Sequence, residues 1–200
     1  MLAGVSHDLR TPLTRMKLQL AMFESSKEIE DLKSDLIEME KMVEGYLNFA
    51  RGEETEESHE IKLSDFLFSI QDSYVRQNKK FDLAINSSDE IKIKPNLMKR
   101  AVCNLIDNAF RYGKEVKITG DINNGYAIII VDDNGTGIPK EKREEVFKPF
   151  FRMEASRNQE TGGVGLGLTI ANDIVHSHGG EIILDDSPAG GLRATIRLPI

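Results

Sequence analysis

The chain has 200 residues, of which 40% are hydrophobic and 30% charged, with a formal net charge of −7. These values are ordinary for a folded protein and leave room for one domain or two small ones. The acidic balance argues against nucleic-acid binding, which favours a basic surface. No apolar run approaches the roughly 20 residues that span a bilayer, and no signal peptide opens the chain. The single cysteine, Cys103, predicts a buried thiol in a reducing compartment rather than a disulfide.

The first fifty residues predict two helices that pack against each other. Apolar residues recur at alternating steps of three and four, as in the seam of packed helices. Residues 25–27 form the break, where Ser26 is suited to cap the second helix. Because one hairpin covers only part of each apolar stripe, two hairpins from two chains predict a four-helix bundle and hence a homodimer. The alternative is a hairpin that folds against its own C-terminal domain.

A histidine lies outside the apolar seam of the first helix. His7 follows the seam residue Val5 by two positions, so it faces away from the helix core. Asp8 adds a carboxylate beside it, and Thr11 adds a hydroxyl four positions on. Pro12 removes one helix hydrogen bond and predicts a kink close to this histidine. A lone histidine of this kind is usually a solvated surface residue, so its meaning depends on the rest of the chain.

The polar, aperiodic residues 52–60 predict a linker between a first domain over 1–51 and a second over 61–200. The second domain is predicted to contain helices over 64–74, 95–112, 140–147 and 166–178, and strands over 81–85, 90–94, 115–121, 125–132, 181–185 and 192–198. Helices combined with mostly antiparallel strands predict an α/β two-layer sandwich.

One helix of the second domain has a polar face. Asn104, Asn108 and Arg111 are spaced four and three apart, so they share that face. Amide oxygens can ligate Mg²⁺, and an arginine can bind a phosphate through two hydrogen bonds. By itself, such a face is more commonly a solvated helix surface.

Two glycine-containing segments suggest a nucleotide pocket. Asp133, followed by Gly135 and Gly137, comes directly after the most hydrophobic strand; a carboxylate there can accept the amino group of adenine, although an Asn-Gly turn is the simpler interpretation. Residues 162–168 lead into a helix and offer backbone amides to phosphate, but they fit neither the dinucleotide fingerprint nor the P-loop. Residues 147–152 either anchor a lid or belong to the core.

In their order along the chain, these segments resemble the conserved boxes of two-component sensor histidine kinases. The corresponding segments are Val5–Pro12 for the H box, Asn104–Tyr112 for the N box, Asp133–Gly137 for the G1 box, Phe147–Phe151 for the F box, Gly163–Leu168 for the G2 box and Gly190–Thr195 for the last glycine box. The resemblance covers nearly the whole chain. It implies a helical dimerisation and phosphotransfer domain, followed by an ATP-binding domain of the Bergerat fold shared with gyrase and Hsp90.

The resemblance also implies roles for individual residues. His7 is the implied phosphoacceptor, Asp8 orients its ring, and Arg10 and Thr11 complete the catalytic set, with Thr11 positioning water for hydrolysis of the phosphorylated regulator. Asn108 is the implied ligand of Mg²⁺. The implied contacts to ATP are Asn104, Asn108, Arg111, Tyr112, Asp133, Gly135, Gly137, Ile138, Phe150, Arg152, Gly163, Val164, Gly165, Leu166, Gly167, Leu168 and Thr195.

The partners implied are a second copy of the chain and the receiver domain of a response regulator. Only six residues precede His7, whereas the first helix of the family begins well before the H box. We therefore expect the cytoplasmic core of a longer protein of the bacterial inner membrane, attached to the membrane only through a missing N-terminal region. The alternatives are a different Bergerat ATPase and a non-catalytic scaffold that binds ATP.

Overall fold

The protein is described by a computed structural model, which covers residues 2–23, 26–52, 56–153 and 165–200. For residues 2–10, 38 and 41–52 it describes the backbone alone. The chain divides into two compact units, Met1–Thr55 and Glu56–Ile200.

The first unit consists of two helices, α1 (Leu2–Ala21) and α2 (Lys27–Gly52). The predicted cap at Ser26 is confirmed, because its Oγ accepts the backbone N–H of Ile29 at 3.3 Å. Lys17 Nζ lies 2.8 Å from an oxygen of Glu40, which joins the two helices across their surface. Among the described side chains, Leu13 and Leu36 are the buried apolar residues of this unit.

Much of the apolar surface of this unit remains exposed. The exposed large apolar side chains are Met16, Leu18, Met22, Phe23, Leu32, Ile37 and Met39. Several of them line one open groove between α1 and α2, together with Leu20 and Leu36. The two helices therefore leave apolar area that they do not bury against each other.

The described part of the second unit contains three α-helices and seven strands. The helices are α3 (Leu63–Val75), α4 (Pro95–Tyr112) and α5 (Gly167–Ser177). The strands are β1 (His59–Lys62), β2 (Asp82–Ile85), β3 (Glu90–Ile93), β4 (Val116–Asn123), β5 (Tyr126–Asp133), β6 (Glu181–Asp186) and β7 (Leu192–Pro199). Strands β1 and β3 form a small antiparallel sheet, and the other five form a sheet in the order β2-β4-β5-β7-β6. Only the β2–β4 pair is parallel.

The helices cover one face of the five-stranded sheet. Successive side chains of a strand point to opposite faces, and on β5 it is Ala127, Ile129 and Val131 that are buried. Their cross-strand partners on β7, Ala194 and Ile196, are buried as well. The core therefore lies between this face and the helix layer, which confirms the predicted two-layer α/β sandwich.

One predicted helix of the second unit is wrong. The helix predicted over 140–147 is two short 3₁₀ turns, Lys140–Lys142 and Glu145–Phe147. Between them, the Arg143 guanidinium donates to the carbonyls of Ile138 and Leu184, so tertiary hydrogen bonds shape this segment. The linker predicted over 52–60 overlaps the last residue of α2 and the first two residues of β1, and its bounds stay a prediction.

The lone cysteine is half-buried on α4. Burial raises the pKa of the Cys103 thiol above its ordinary value. The hydroxyl of Tyr74 lies 3.2 Å from the Cys103 carbonyl oxygen and 3.0 Å from Oδ1 of Asp107, so it joins α3 to α4. These contacts favour a packing role for this region over a reactive thiol.

No helix in the described ranges combines the length and the apolar character needed to cross a lipid bilayer.

Candidate functional site

A pocket opens in the second unit where the C-terminal half of α4 meets the end of β5 and the start of β7. Its lining is Asn108, Tyr112, Asp133, Thr136, Gly137, Ile138, Val146, Phe151, Met153, Leu168 and Leu192. Six of these residues are among the predicted nucleotide contacts: Asn108, Tyr112, Asp133, Gly137, Ile138 and Leu168. Residues separated by up to 84 positions in sequence thus share one cavity.

Asp133 is the charged residue of this lining, and only 4% of its surface is exposed. Its Oδ1 accepts the backbone N–H of Gly135 at 2.8 Å and that of Leu192 at 3.1 Å. Burial raises the pKa of the Asp133 carboxyl, and these two hydrogen bonds only partly oppose that shift. Its Oδ2 accepts no hydrogen bond from the part of the chain that the structure describes. This second oxygen is therefore an acceptor available to a ligand.

The backbone packs so tightly around Asp133 that side chains are excluded. A Cβ at Gly191 would collide with Oδ1 of Asp133 and with the amide nitrogen of Gly135. A Cβ at Gly135 would collide with the carbonyl of Tyr112. Both positions need glycine because of close approach, and Gly137 needs it for its positive φ of 66°. The glycines of this segment thus hold the carboxylate rather than merely bend the chain.

Asn134 organises the neighbouring turn, a role that sequence reasoning missed. Its Oδ1 accepts the backbone N–H groups of Lys114 and Glu115 at 2.8 and 3.0 Å. The side chain therefore ties the turn after α4 to the end of β5. The signal in the sequence was an asparagine between Asp133 and Gly135, which favours local turn bonds but did not reveal a partner 20 residues away.

The polar face of α4 contributes unequally to the site. Asn108 lines the pocket, whereas Arg111 is exposed and outside its lining. The Nδ2 atom of Asn104 is buried and has no hydrogen-bond partner among the described residues. A Cβ at Gly167, the first residue of α5, would only just touch the Asn104 side chain, at 4.0 Å. A buried donor without a partner is unusual in a native fold. Asn104 is not among the residues that line the pocket, so its predicted contact with the nucleotide stays a prediction.

The loop before α5 is held by backbone contacts. The N–H of Phe150 donates to the carbonyl of Gly165 at 3.0 Å, and a Cβ at Gly165 would collide with the backbone of Phe150 and Phe151. Phe150 has a positive φ of 64°, uncommon for a bulky residue, and its side chain is exposed. Phe151 lines the pocket instead. The structure therefore places Phe151 rather than Phe150 in the lining, and Arg152 is exposed outside it. The predicted nucleotide contacts of Phe150 and Arg152 stay predictions.

The remaining glycine-loop residues are only partly described. Gly163 and Val164 lie outside the described residues. Leu166 is buried, and Leu168 lines the pocket from the first turn of α5.

Thr195 does not join this site. It lies between the buried residues Ala194 and Ile196 on β7 and pairs with Ile130 of β5. Because side chains alternate along a strand, Thr195 faces away from the helices and from the pocket. This position does not support the predicted contact between Thr195 and the nucleotide, which stays a prediction, because a glycine-box resemblance does not determine which face of the strand a residue takes.

The predicted phosphoacceptor segment lies on α1. The side chains of His7, Asp8 and Arg10 are outside the described ones, whereas Thr11 is exposed. Their roles therefore stay predictions.

The pocket residues suit ATP with Mg²⁺. The open Oδ2 of Asp133 can accept an amino group, and Asn108 lies in the same lining. No cluster of three or more histidine, cysteine or acidic side chains that could hold a metal ion occurs in the described ranges. Asn108 lines the pocket and offers an amide oxygen, a ligand type that Mg²⁺ accepts alongside substrate phosphates and water.

Comparison with known families gives the class of the protein. Residues 93–200 match the family described as histidine kinase-, DNA gyrase B- and HSP90-like ATPase, and residues 1–55 match the His Kinase A (phospho-acceptor) domain. The chain belongs to this ATPase family and carries the phospho-acceptor domain of histidine kinases ahead of it.

Individual relatives are sensor kinases. The chain is 35% identical over 198 residues to the sensor histidine kinase GtrS of Pseudomonas aeruginosa and 32% identical over 212 aligned residues to the sensor histidine kinase CpxA of Escherichia coli. These alignments cover 98% and 100% of this chain but 41% and 46% of the relatives, so the chain spans less than half their length. Among solved structures, the mycobacterial sensor histidine kinase MprB matches 71% of this chain and 97% of its own, with a TM-score of 0.60 and 26% identity.

Proposed function

We propose that this chain is the catalytic core of a sensor histidine kinase. It binds ATP in the pocket of the second unit, transfers the γ-phosphoryl group to His7, and passes it to an aspartate of a response regulator. It also hydrolyses the phosphorylated regulator. The observation that carries the ATP-binding step is the Asp133 carboxylate, with Oδ1 held by two backbone N–H groups and Oδ2 left as an acceptor.

In the binding step, the chain's own residues orient the nucleotide. Oδ2 of Asp133 accepts the adenine amino group, while Ile138 and Leu168 provide apolar walls for the ring. Asn108 holds Mg²⁺, and Asn104 donates to a phosphate oxygen through its buried amide. When bound, Mg²⁺ neutralises negative charge on the phosphates.

In the transfer step, a neutral ring nitrogen of His7 attacks the γ-phosphorus in line. An N–P bond forms while the bond from the γ-phosphorus to the ADP oxygen breaks, and ADP leaves with that electron pair. Asp8 orients the imidazole and stabilises the positive charge that develops on it. The protein acts mainly by positioning and by stabilising charge, as in other phosphoryl transfers.

The partners form part of the same proposal. The apolar residues exposed on α1 and α2 suit a second copy of the chain, which gives a four-helix bundle. The receiver domain of the regulator docks on this bundle near His7. The chain is then the cytoplasmic part of a protein anchored in the bacterial inner membrane. Residues 3–15, 99–102 and 108–113 resemble the osmosensor kinase EnvZ, and we propose a relationship to that kinase for these segments.

Radiolabelled ATP tests the proposed activity. Label that is lost in acid, stable in alkali and absent from His7→Gln supports a histidine kinase, provided that His7→Gln still binds ATP. Release of free phosphate without protein labelling would indicate a different ATPase of this fold. ATP binding without either product would indicate a scaffold, and both of these results contradict the proposal.

The oligomeric state tests the proposed partner. Leu32→Glu places a charge in the exposed apolar surface of α2 and is expected to convert a dimer to a monomer in sedimentation experiments. Val75→Glu is the matched control, because Val75 is similarly exposed on α3 of the second unit. Dimers of equal stability in both variants would contradict the bundle.

A further inference from the structure

The N-terminus of α4 is capped by a residue that comes just after the first unit. Glu56 Oε1 accepts the backbone N–H of Asn96 at 2.7 Å, and its Oε2 accepts that of Leu97 at 3.0 Å. The helix's own N-cap residue, Lys94, makes no side-chain capping bond. A carboxylate at this place also interacts favourably with the positive end of the helix dipole. Glu56 therefore caps α4, although it lies 40 residues before Asn96 in the sequence.

The other donors of this helix end are also accounted for. Pro95 has no N–H, and the N–H of Met98 donates to the Lys94 carbonyl at 2.9 Å. The N–H of Lys94 donates to Nε2 of His178 at 3.0 Å. Since Nε2 accepts, Nδ1 of His178 carries the proton and donates to the Ile174 carbonyl at 2.7 Å. The first turn of α4 thus has no N–H group left for any other partner.

This junction joins the chain entering the second unit to both helices that flank the pocket. His178 directly follows α5, and the first residue of α5, Gly167, lies beside Asn104 of α4. Asn96 and Asn108 are twelve residues apart, or about 18 Å along a helix. Glu56 is therefore too far away to touch a nucleotide, and any effect on the reaction must come from where it holds the chain.

We propose that Glu56 is a positioning residue for phosphoryl transfer: its carboxylate clasps the N-terminus of α4 and sets the length of the connection between the two units. This inference rests on the proposed function. While Glu56 is bonded to α4, three residues, 53–55, separate the end of α2 from the first anchored residue of the second unit, Glu56. Without the bonds of Glu56, the next anchored residue is His59 at the start of β1. The connection then consists of residues 53–58 and doubles to six residues.

A longer connection between the two units is expected to slow the labelling of His7. For a flexible tether longer than the span it must cover, the effective concentration of the tethered group falls roughly as the −3/2 power of tether length. If the connection between the units follows this relation, a twofold increase in length lowers that concentration about threefold. Glu56→Ala is expected to lower the rate of His7 labelling at saturating ATP about threefold while the KM for ATP stays within about twofold, because the pocket is intact. Glu56→Gln is expected to fall in between, because its amide group faces an N–H donor and can replace only one of the two hydrogen bonds.

Two further variants separate positioning from simple helix capping. Inserting Gly-Ser-Gly between Thr55 and Glu56 lengthens the connection to six residues with the clasp intact, and should reproduce the threefold loss. Glu57→Ala removes the same charge from the exposed neighbour and should leave the labelling rate unchanged. Hydrogen exchange at the amides of Asn96 and Leu97 should accelerate in Glu56→Ala but not in the insertion variant or in Glu57→Ala.

The outcomes distinguish the two proposals. Wild-type chain that takes up no acid-labile label overturns the proposed function, and the positioning role falls with it. Wild-type labelling combined with an unchanged rate in Glu56→Ala, or with a loss explained entirely by a higher KM for ATP, overturns the positioning role alone. An insertion variant that labels at the wild-type rate overturns it as well, because a capping effect would then be sufficient.

Discussion

Oδ1 of Asp133 lies 3.1 Å from the backbone nitrogen of Leu192, so the carboxylate at the end of β5 is held by the first residue of β7. The N–H of Gly135 supplies a second bond to the same oxygen. This arrangement fixes the orientation of the carboxylate before any ligand arrives, and it leaves Oδ2 as the acceptor without a bond from the described residues.

Replacing Asp133 with asparagine should weaken ATP binding. The asparagine oxygen can keep the two backbone bonds, but its amide group then stands where an acceptor is needed. Loss of one charge-assisted hydrogen bond predicts a reduction in ATP affinity of roughly 10- to 100-fold, measured by competition with a fluorescent ATP analogue. GTP serves as the comparison, because its 6-oxygen can accept from the new amide and the ATP/GTP preference should narrow. An ATP affinity within about twofold of wild type would argue against this role.

The pH dependence of ATP binding should reflect the raised pKa of Asp133. Its ionised form is the acceptor, so affinity should fall on acidification at a pH above the ordinary aspartate value of 3.8. The effect on folding has the opposite sign: a raised folded pKa gives stability that is fully present below the unfolded value and is lost as the pH rises through the folded one. Binding curves for wild type and Asp133→Asn across the acidic range isolate this group, since the titration of ATP itself is common to both. Parallel curves would contradict the prediction.

Gly191→Ala should destabilise the second unit by steric collision. The new Cβ would overlap Asp133 and the backbone of Gly135, which predicts a loss of about 3 kcal/mol in urea unfolding together with weaker ATP binding. Gly190→Ala is the matched control. A Cβ at Gly190 would have no described atom within 4 Å, but the residue has a φ of 98°. Only backbone strain of about 1 kcal/mol is therefore expected. Equal losses in the two variants would show that the packing against Asp133 does not matter.

Arg193→Gln should lower stability without changing ATP affinity. The Arg193 guanidinium makes two hydrogen bonds to Asp132, of 2.9 and 2.8 Å, and only 8% of that aspartate side chain is exposed. The substitution leaves the Asp132 carboxylate without its cation and is expected to lower the free energy of unfolding by about 2 kcal/mol. The loss is smaller than for a fully buried pair because Arg193 is one-third exposed. Lys148→Gln, which breaks an exposed pair with Glu145, should cost less than about 0.5 kcal/mol. A changed ATP affinity in Arg193→Gln would contradict its placement on the face away from the pocket.

Thr11→Ala should reduce phosphatase activity on the phosphorylated regulator more than it reduces labelling of His7. The hydroxyl of Thr11 is proposed to position the attacking water, which autophosphorylation does not use. Thr14→Ala, three residues further along α1 and also exposed, is the control and should affect neither activity. Equal loss of both activities in Thr11→Ala would contradict the assigned role.

Local patterns predicted most of the fold because each depends on residues close together in sequence. The apolar run before Asp133 predicted β5, and the spacing of Asn104, Asn108 and Arg111 predicted one face of α4. The errors occurred where distant contacts decide the conformation. Hydrogen bonds from Arg143 shape the 3₁₀ turns, and the positive φ of Phe150 leaves Phe151 to line the pocket.

The sequence by itself predicted the order of helices and strands, and it identified Asp133 and Asn108 as pocket residues. It could do so because periodicity and short motifs are local properties. Tertiary structure alone decided which oxygen of Asp133 stays open, why Gly191 has no room for a side chain, and that Glu56 caps α4. Each of these depends on a backbone group brought from 40 or more residues away, and no spacing along the chain specifies which N–H a carboxylate will meet.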